Sequence, residues 1–266
     1  MINFLFWNVG KRHSDIESLN KNISALITQE NIDILAVCEY PFSAAKLLAM
    51  DPVRERQFEE AFTVVQRKDA RIFYSKATTS CLSKVMFDQD SFVMNRFSSC
   101  GLEFNLACVH LPSKLYTDDA TRSIAAGLIM ADIRAKELET DRKTIVVGDF
   151  NADPHEGAVL SVNGFHALPD QRFAGSGRTV NGKAFDAFYN PMWNLYGDFV
   201  KPSGTYYYNK PSANNQLWYM FDQVIMRHDL IQNFDPNSLR IITEGLASKL
   251  YRPQVSDHFP IKFSLR

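Results

Sequence analysis

The chain opens as strand, helix, strand. Residues 2–9 and 33–38 are dense apolar runs of strand length, and between them Ile16, Leu19, Ile23 and Leu26 recur at the spacing of one helix face. Ser14 with Glu17 three places later makes a capping box at the start of that helix. The middle of the chain changes to successive β segments at 62–66, 71–74, 82–87, 92–96 and 102–110, divided by turn-rich or polar residues, and reads as a meander. At 117–139, Ile124, Leu128, Ala131, Ala135 and Leu138 alternate at steps of four and three, so a long amphipathic helix is expected to lay this face on a sheet. Residues 170–216 read as long loops with a short strand at 205–208, and strands at 219–226, 239–243 and 259–263 close the chain. Many strands with helices in two places imply two packed sheets with helices outside them. No internal repeat, low-complexity tract or Pro/Gly/Ser linker divides the sequence, so residues 1–266 are expected to form one domain.

An apolar fraction of 45% with 22% charged residues is enough to bury a core without disulfide or metal staples. Lys plus Arg number 29 against 30 Asp plus Glu, a formal charge of -1, which excludes an indiscriminate high-field binder of nucleic acid or anionic membrane. The N-terminal apolar run lacks a basic flank and is too short for a secretory signal or a membrane span. Cys38, Cys81, Cys100 and Cys108 show no Cys-x-x-Cys spacing, and Cys38 and Cys108 lie inside apolar runs. Reduced core thiols, and hence a cytoplasmic protein, are the expectation.

Polar residues sit where apolar strands give way to loops: Asn8, Glu39, His110, the Asp149/Asn151 pair and Asp257-His258, with Asp222 inside a strand flanked by apolar residues. Any one of these has a structural explanation as an Asx-turn, cap or strand end. Together they form a set that is costly to desolvate unless paired or bound to a cation. Four carboxylates, two amides and two imidazoles are also the groups a hard-metal phosphoesterase needs: oxygen ligands for Mg²⁺, a base for water, and donors to the phosphate oxygens.

On these residues the chain resembles the endonuclease/exonuclease/phosphatase superfamily, the fold of deoxyribonuclease I and the AP endonucleases. The resemblance runs through Trp7-Asn8-Val9, Glu39, Val109-His110-Leu111, Gly148-Asp149-Phe150-Asn151-Ala152-Asp153-Pro154, Asp222 and Ser256-Asp257-His258-Phe259-Pro260. It implies an α/β fold, a four-layered α-β-β-α sandwich of two mixed sheets flanked by helices. It implies Mg²⁺ as cofactor, with Mn²⁺ able to substitute, held by Glu39 with Asn8 and Asp257. Asp149 would position or deprotonate the attacking water, Asn151 would orient it, and His258 would donate to a nonbridging oxygen while held by Asp222. His110 matches the histidine of the deoxyribonuclease I branch, a candidate general acid. Gly10 stands where AP endonucleases often carry an acid, and His110 where they commonly use Tyr, which disfavours an abasic-site enzyme.

The expected reaction is metal-dependent hydrolysis of DNA or RNA phosphodiesters; the alternative is a small-molecule or lipid phosphoester of the inositol phosphate or sphingomyelin type. For substrate contacts, Tyr206, Tyr207, Tyr208 and Trp218 are candidates to stack on bases, and Arg71 and Lys114 to reach phosphate. Lys11, Arg12, Lys114, Lys210, Lys249 and Arg252 would make a local basic rim.

Overall fold

The computed structural model describes residues 1–10, 16–61, 69–83, 86–89, 91–199, 201–211, 214–246 and 255–266. The expected strand at 62–66, the capping residue Ser14 and the rim residues Lys11, Arg12, Lys249 and Arg252 lie outside the described residues.

The chain begins with β1 (Ile2–Asn8), α1 (Ile16–Gln29) and β2 (Ile34–Cys38), followed by short helices α2 (Ala44–Leu48) and α3 (Asp51–Glu55). A β-rich stretch follows: β3 (Phe58–Glu60), β4 (Ala70–Ser75), β5 (Ser80–Cys81), β6 (Phe87–Gln89), β7 (Phe92–Ser99) and β8 (Leu102–His110). After the long α4 (Asp119–Glu139) come β9 (Thr144–Asp149), α5 (Gly157–Leu160), β10 (Ala167–Leu168) and α6 (Gln171–Ser176). Two small hairpins, β11 (Arg178–Val180) with β12 (Lys183–Phe185), and β14 (Tyr206–Tyr207) with β15 (Trp218–Tyr219), flank β13 (Phe188–Tyr189). The chain ends in β16 (Asp222–Met226), β17 (Arg240–Ile241) and β18 (Ile261–Leu265).

These strands build two mixed sheets, one in the order β17-β18-β1-β2-β4-β3 and the other β10-β13-β16-β9-β8-β7-β5, with β6 also on β7. The sheets face each other through apolar side chains, as in the edge-on rings of Phe4 and Phe104, 5.7 Å apart, and of Tyr74 and Phe97, also 5.7 Å. β1 is buried at every residue, as a central strand covered on both faces must be. Helix α1 covers the first sheet with Leu19, Ile23, Leu26 and Ile27. Helix α4 covers the second, where Ala126, Ile129, Met130 and Ile133 pack with Met94, Ala107, Val146 and Ile225. The architecture is therefore the expected sandwich of two sheets between helices.

The face that α4 turns inward is not the one the periodicity indicates. Ile124, Leu128 and Leu138 are 65%, 66% and 91% exposed, and Ala131 and Ala135 are exposed with them. The buried stripe includes Arg122 and Glu137 as well as its apolar residues. Arg122 pairs with Asp119 and donates to the Thr117 carbonyl oxygen, and Glu137 accepts two hydrogen bonds at 2.8 Å from the fully buried Arg227. Dedicated partners let charged side chains occupy the inner face. Of the segment expected at 82–87 only Phe87 is in a strand among the described residues, the stretch 170–216 also carries α6, the β11–β12 hairpin and β13, and the closing strands fall at β15 and β16, β17, and β18. All four cysteines are free, with Cys38 and Cys108 buried. No helix among the described residues is long and apolar enough to cross a membrane.

Candidate active site

Strand direction gathers the polar positions at one end of the sandwich. β1 and β2 run parallel, as do β8 and β9, so their C-terminal ends coincide, with Asn8 opposite Cys38 and His110 opposite Asp149. β16 runs antiparallel to β9 and begins where β9 ends, setting Asp222 opposite Asp149. β18 is antiparallel to β1, so the Asp257-His258 pair ahead of it returns to the same end. Gly148 permits the close approach of β9 to β8: a Cβ there would lie 2.0 Å from the Val109 carbonyl oxygen. The side chain needed for chemistry therefore begins one residue later, at Asp149.

Asp149 is buried, and both of its oxygens are held: Oδ1 accepts from the Asn151 backbone N–H and Oδ2 from the Asn8 side-chain amide, each at 2.8 Å. Asn151 donates its own amide to the Leu111 carbonyl oxygen, which fixes the loop after β9. His258 is buried with its Nδ1 2.7 Å from Asp222 Oδ2 and its Nε2 3.9 Å from Asp149 Oδ2. Burial disfavours an imidazolium, but the Asp222 and Asp149 carboxylates and the hydrogen bond to Asp222 outweigh it and push His258 up to about 10. The shared proton stays on the histidine, the stronger base. Trp7 Nε1 donates to the His258 carbonyl oxygen and Ser256 Oγ to that of Asn8, which fastens this loop to β1.

His110 lies on the opposite side of Asp149, with Nε2 3.5 Å from Glu39 Oε1 and 3.7 Å from Asp149 Oδ2, and Nδ1 3.9 Å from Asp69 Oδ2. Asp69 was not among the expected residues. It lies in a polar stretch with no strand-end signature, and its carbonyl oxygen also accepts from the Glu39 N–H. Glu39 and Asn151 adopt left-handed backbone conformations, φ +58° and +44°. This is ordinary for Asn but costly for Glu, of the order of 1 kcal/mol or more, and concentrates strain where the side chain must point into the site.

The donors at this end are hard oxygens. Glu39 and Asp69 lie against His110, and Asp149 and Asp222 against His258, with Asp257 Oδ1 3.6 Å from where a Cβ on Gly10 would stand, beside Asn8. The ligand atoms of Asp149, Asp222 and His258 lie within 4.8 Å of one another, and Asp222 Oδ1 is buried with no hydrogen-bond partner. Such a carboxylate surplus fits a hard divalent cation. A second group, Asp153, His155 and Glu156, is otherwise occupied. Asp153 accepts from Met220 N–H and the Gln216 side chain, and Glu156 pairs with Lys114.

The expected substrate contacts divide differently from the catalytic set. Arg71 is buried: it donates at 2.6 Å to Glu60 and to the Phe42 carbonyl oxygen and lies over the rings of Tyr40 and Phe73. Its cation is therefore spent on the loop after Glu39 and not on a phosphate. Lys114 is neutralised by Glu156 and sits over Tyr219 and Phe221. Lys210 is exposed. Tyr207 packs on Trp218, which stacks on the core residue Phe259, so this pair faces inward. The ring beside the site is Tyr206, 4.7 Å from the His258 ring. Burial, then the Asp257 carboxylate, pushes its phenol up to about 12, so it remains a donor.

Residues 5–258 match the sequence model of the Endonuclease/Exonuclease/phosphatase family. No match is found among curated proteins by sequence. Among solved structures, the human Nocturnin catalytic domain with bound sulfate is 14% identical, with a TM-score of 0.63 over 100% of this chain and 94% of that one. D. rerio TDP2 complexed with a single-strand DNA product is 14% identical, TM-score 0.60, over 100% and 98%. A mannosyl-6-phosphatase of Bacteroides thetaiotaomicron VPI-5482 is 14% identical, TM-score 0.59, over 100% of both chains. At these identities the likeness is one of fold.

Proposed function

Because the chain belongs to the endonuclease/exonuclease/phosphatase family, a family of phosphoester hydrolases, we propose that it is a Mg²⁺-dependent phosphodiesterase cleaving DNA or RNA. The observation that carries this reading is the anchored Asp149 carboxylate between two imidazoles, His110 and His258, with the Glu39 carboxylate 3.5 Å from His110; Glu39, Asn8 and Asp257 would hold the metal. When bound there, Mg²⁺, or Mn²⁺ in its place, supplies positive charge to the phosphate oxygens.

The residues divide the remaining work. Asp149, immobilised through both oxygens, accepts the proton of the attacking water, and Asn151 orients that water. His258, kept protonated by Asp222, donates to a nonbridging oxygen where charge builds in the transition state. His110, on the other side of Asp149, is the candidate acid for the leaving oxygen, with Asp69 as its orienting partner.

One observation favours a second reading, a small phosphoester. Two expected phosphate contacts, Arg71 and Lys114, are consumed internally, and the chain has a formal charge of -1. Labelled single- and double-stranded DNA and RNA, compared with inositol phosphate, sphingomyelin and sugar phosphate substrates, with and without chelator, decide between them. Chelator-sensitive cleavage of a nucleic acid at the highest rate supports the nuclease. Faster turnover of a small phosphoester replaces it with the second reading.

A further inference from the structure

The β14–β15 hairpin has two aromatic faces. On one, Tyr207 packs on Trp218, which stacks on Phe259. On the other, Phe221, Tyr206 and Tyr208 lie in a row of nearly parallel rings: Phe221 to Tyr206 is 5.2 Å at 19°, and Tyr206 to Tyr208 is 6.4 Å at 21°. The row starts at His258, whose ring is 4.7 Å from that of Tyr206. Phe221 is buried at its inner end, whereas Tyr206 and Tyr208 are half-buried.

Several contacts hold this row in place before any ligand arrives. The Phe259 N–H donates to the Thr205 carbonyl oxygen, Thr205 Oγ1 accepts from the Asp222 N–H, and Tyr206 bridges to His258 through the backbone. Tyr219 packs on Phe221, and the Lys114 ammonium lies over both rings from behind. Rings fixed in orientation and half-buried beside a phosphate donor suit a flat ligand attached to that phosphate.

We propose that Tyr206 and Tyr208 form a stacking platform for an unpaired nucleobase adjoining the scissile phosphate, which makes single-stranded DNA or RNA the substrate class. A base in a duplex has both faces covered by its neighbours, whereas a splayed single-stranded base offers a free one. A lipid or sugar phosphoester carries no such face. The inference rests on reading the site as a phosphodiesterase, and its test therefore measures binding, independently of the hydrolysis assays.

The full-length Asp149→Asn protein with Mg²⁺ is titrated by fluorescence anisotropy with a labelled single-stranded oligothymidylate and with an abasic deoxyribose-phosphate oligomer of the same length and charge. The base-bearing oligomer is expected to bind about tenfold tighter or more. Adding Tyr206→Leu or Tyr208→Leu should reduce that preference severalfold, while Tyr206→Phe and Tyr208→Phe, which retain the ring, should keep it. Equal affinity for the two oligomers overturns the proposal without recourse to any ring variant. So does a preference that the leucine variants leave intact, or one lost equally in the phenylalanine variants.

Discussion

His258 Nδ1 and Asp222 Oδ2 lie 2.7 Å apart, with both side chains buried and the far nitrogen of the imidazole turned toward Asp149. The pair keeps a positive charge in a place where burial alone would remove it.

This relationship has a measurable pH signature. The folded His258 holds its proton up to about 10, against about 6.5 in an unfolded chain. Between those values the native state binds more protons than the unfolded one, so the contribution is complete below about pH 6.5 and is lost as pH rises toward 10. Asp222→Asn should reduce this slope and cost about 3–5 kcal/mol near pH 6, because it removes the carboxylate bonded to a buried imidazolium and leaves only Asp149 to offset its charge. Denaturant unfolding of the two proteins across that range checks it; parallel profiles would show that Asp222 does not set the histidine.

Metal binding should appear as added stability. A divalent cation at about a hundredfold excess over its Kd contributes about 2.7 kcal/mol to a protein that binds it only when folded. Thermal melts with Mg²⁺ or Mn²⁺ should therefore rise for the native chain and rise much less for Glu39→Gln. An equal rise in both would move the ligand role away from Glu39.

The orientation of α4 separates two substitutions of similar chemistry. Ile133→Ala opens a cavity in the layer against the second sheet and should cost about 2–5 kcal/mol. Leu128→Ala, on the exposed stripe, should stay within about 0.5 kcal/mol. Chemical denaturation of both variants tests the assignment, and reversed magnitudes would restore the face read from periodicity.

The difference between these two faces shows what a sequence carries and what it leaves out. Asp149 is legible because Gly, Asn and Pro break an apolar strand around it, and local chemistry is enough to mark such a break. The stripe through Ile124, Leu128 and Leu138 is more apolar than the one through Arg122 and Glu137, yet the second is buried. The partner of Glu137, Arg227, is 90 positions away and invisible to a helical repeat. Tyr206 and Tyr207 present a similar ambiguity: alternation says that one faces in, but only the pairing with Trp218 and Tyr219 says which. Asp69 reaches His110 from a loop, where no period applies.

The central claim is that Asp149 activates water in a metal-assisted phosphodiester cleavage, and its most direct test is the kcat/KM of the native chain against Asp149→Asn on a single-stranded phosphodiester substrate with Mg²⁺. The predicted result is chelator-sensitive cleavage by the native chain and a loss of about 10²–10⁴-fold in the variant, with its circular dichroism spectrum unchanged. Cleavage that survives either the chelator or the substitution at full rate would contradict it.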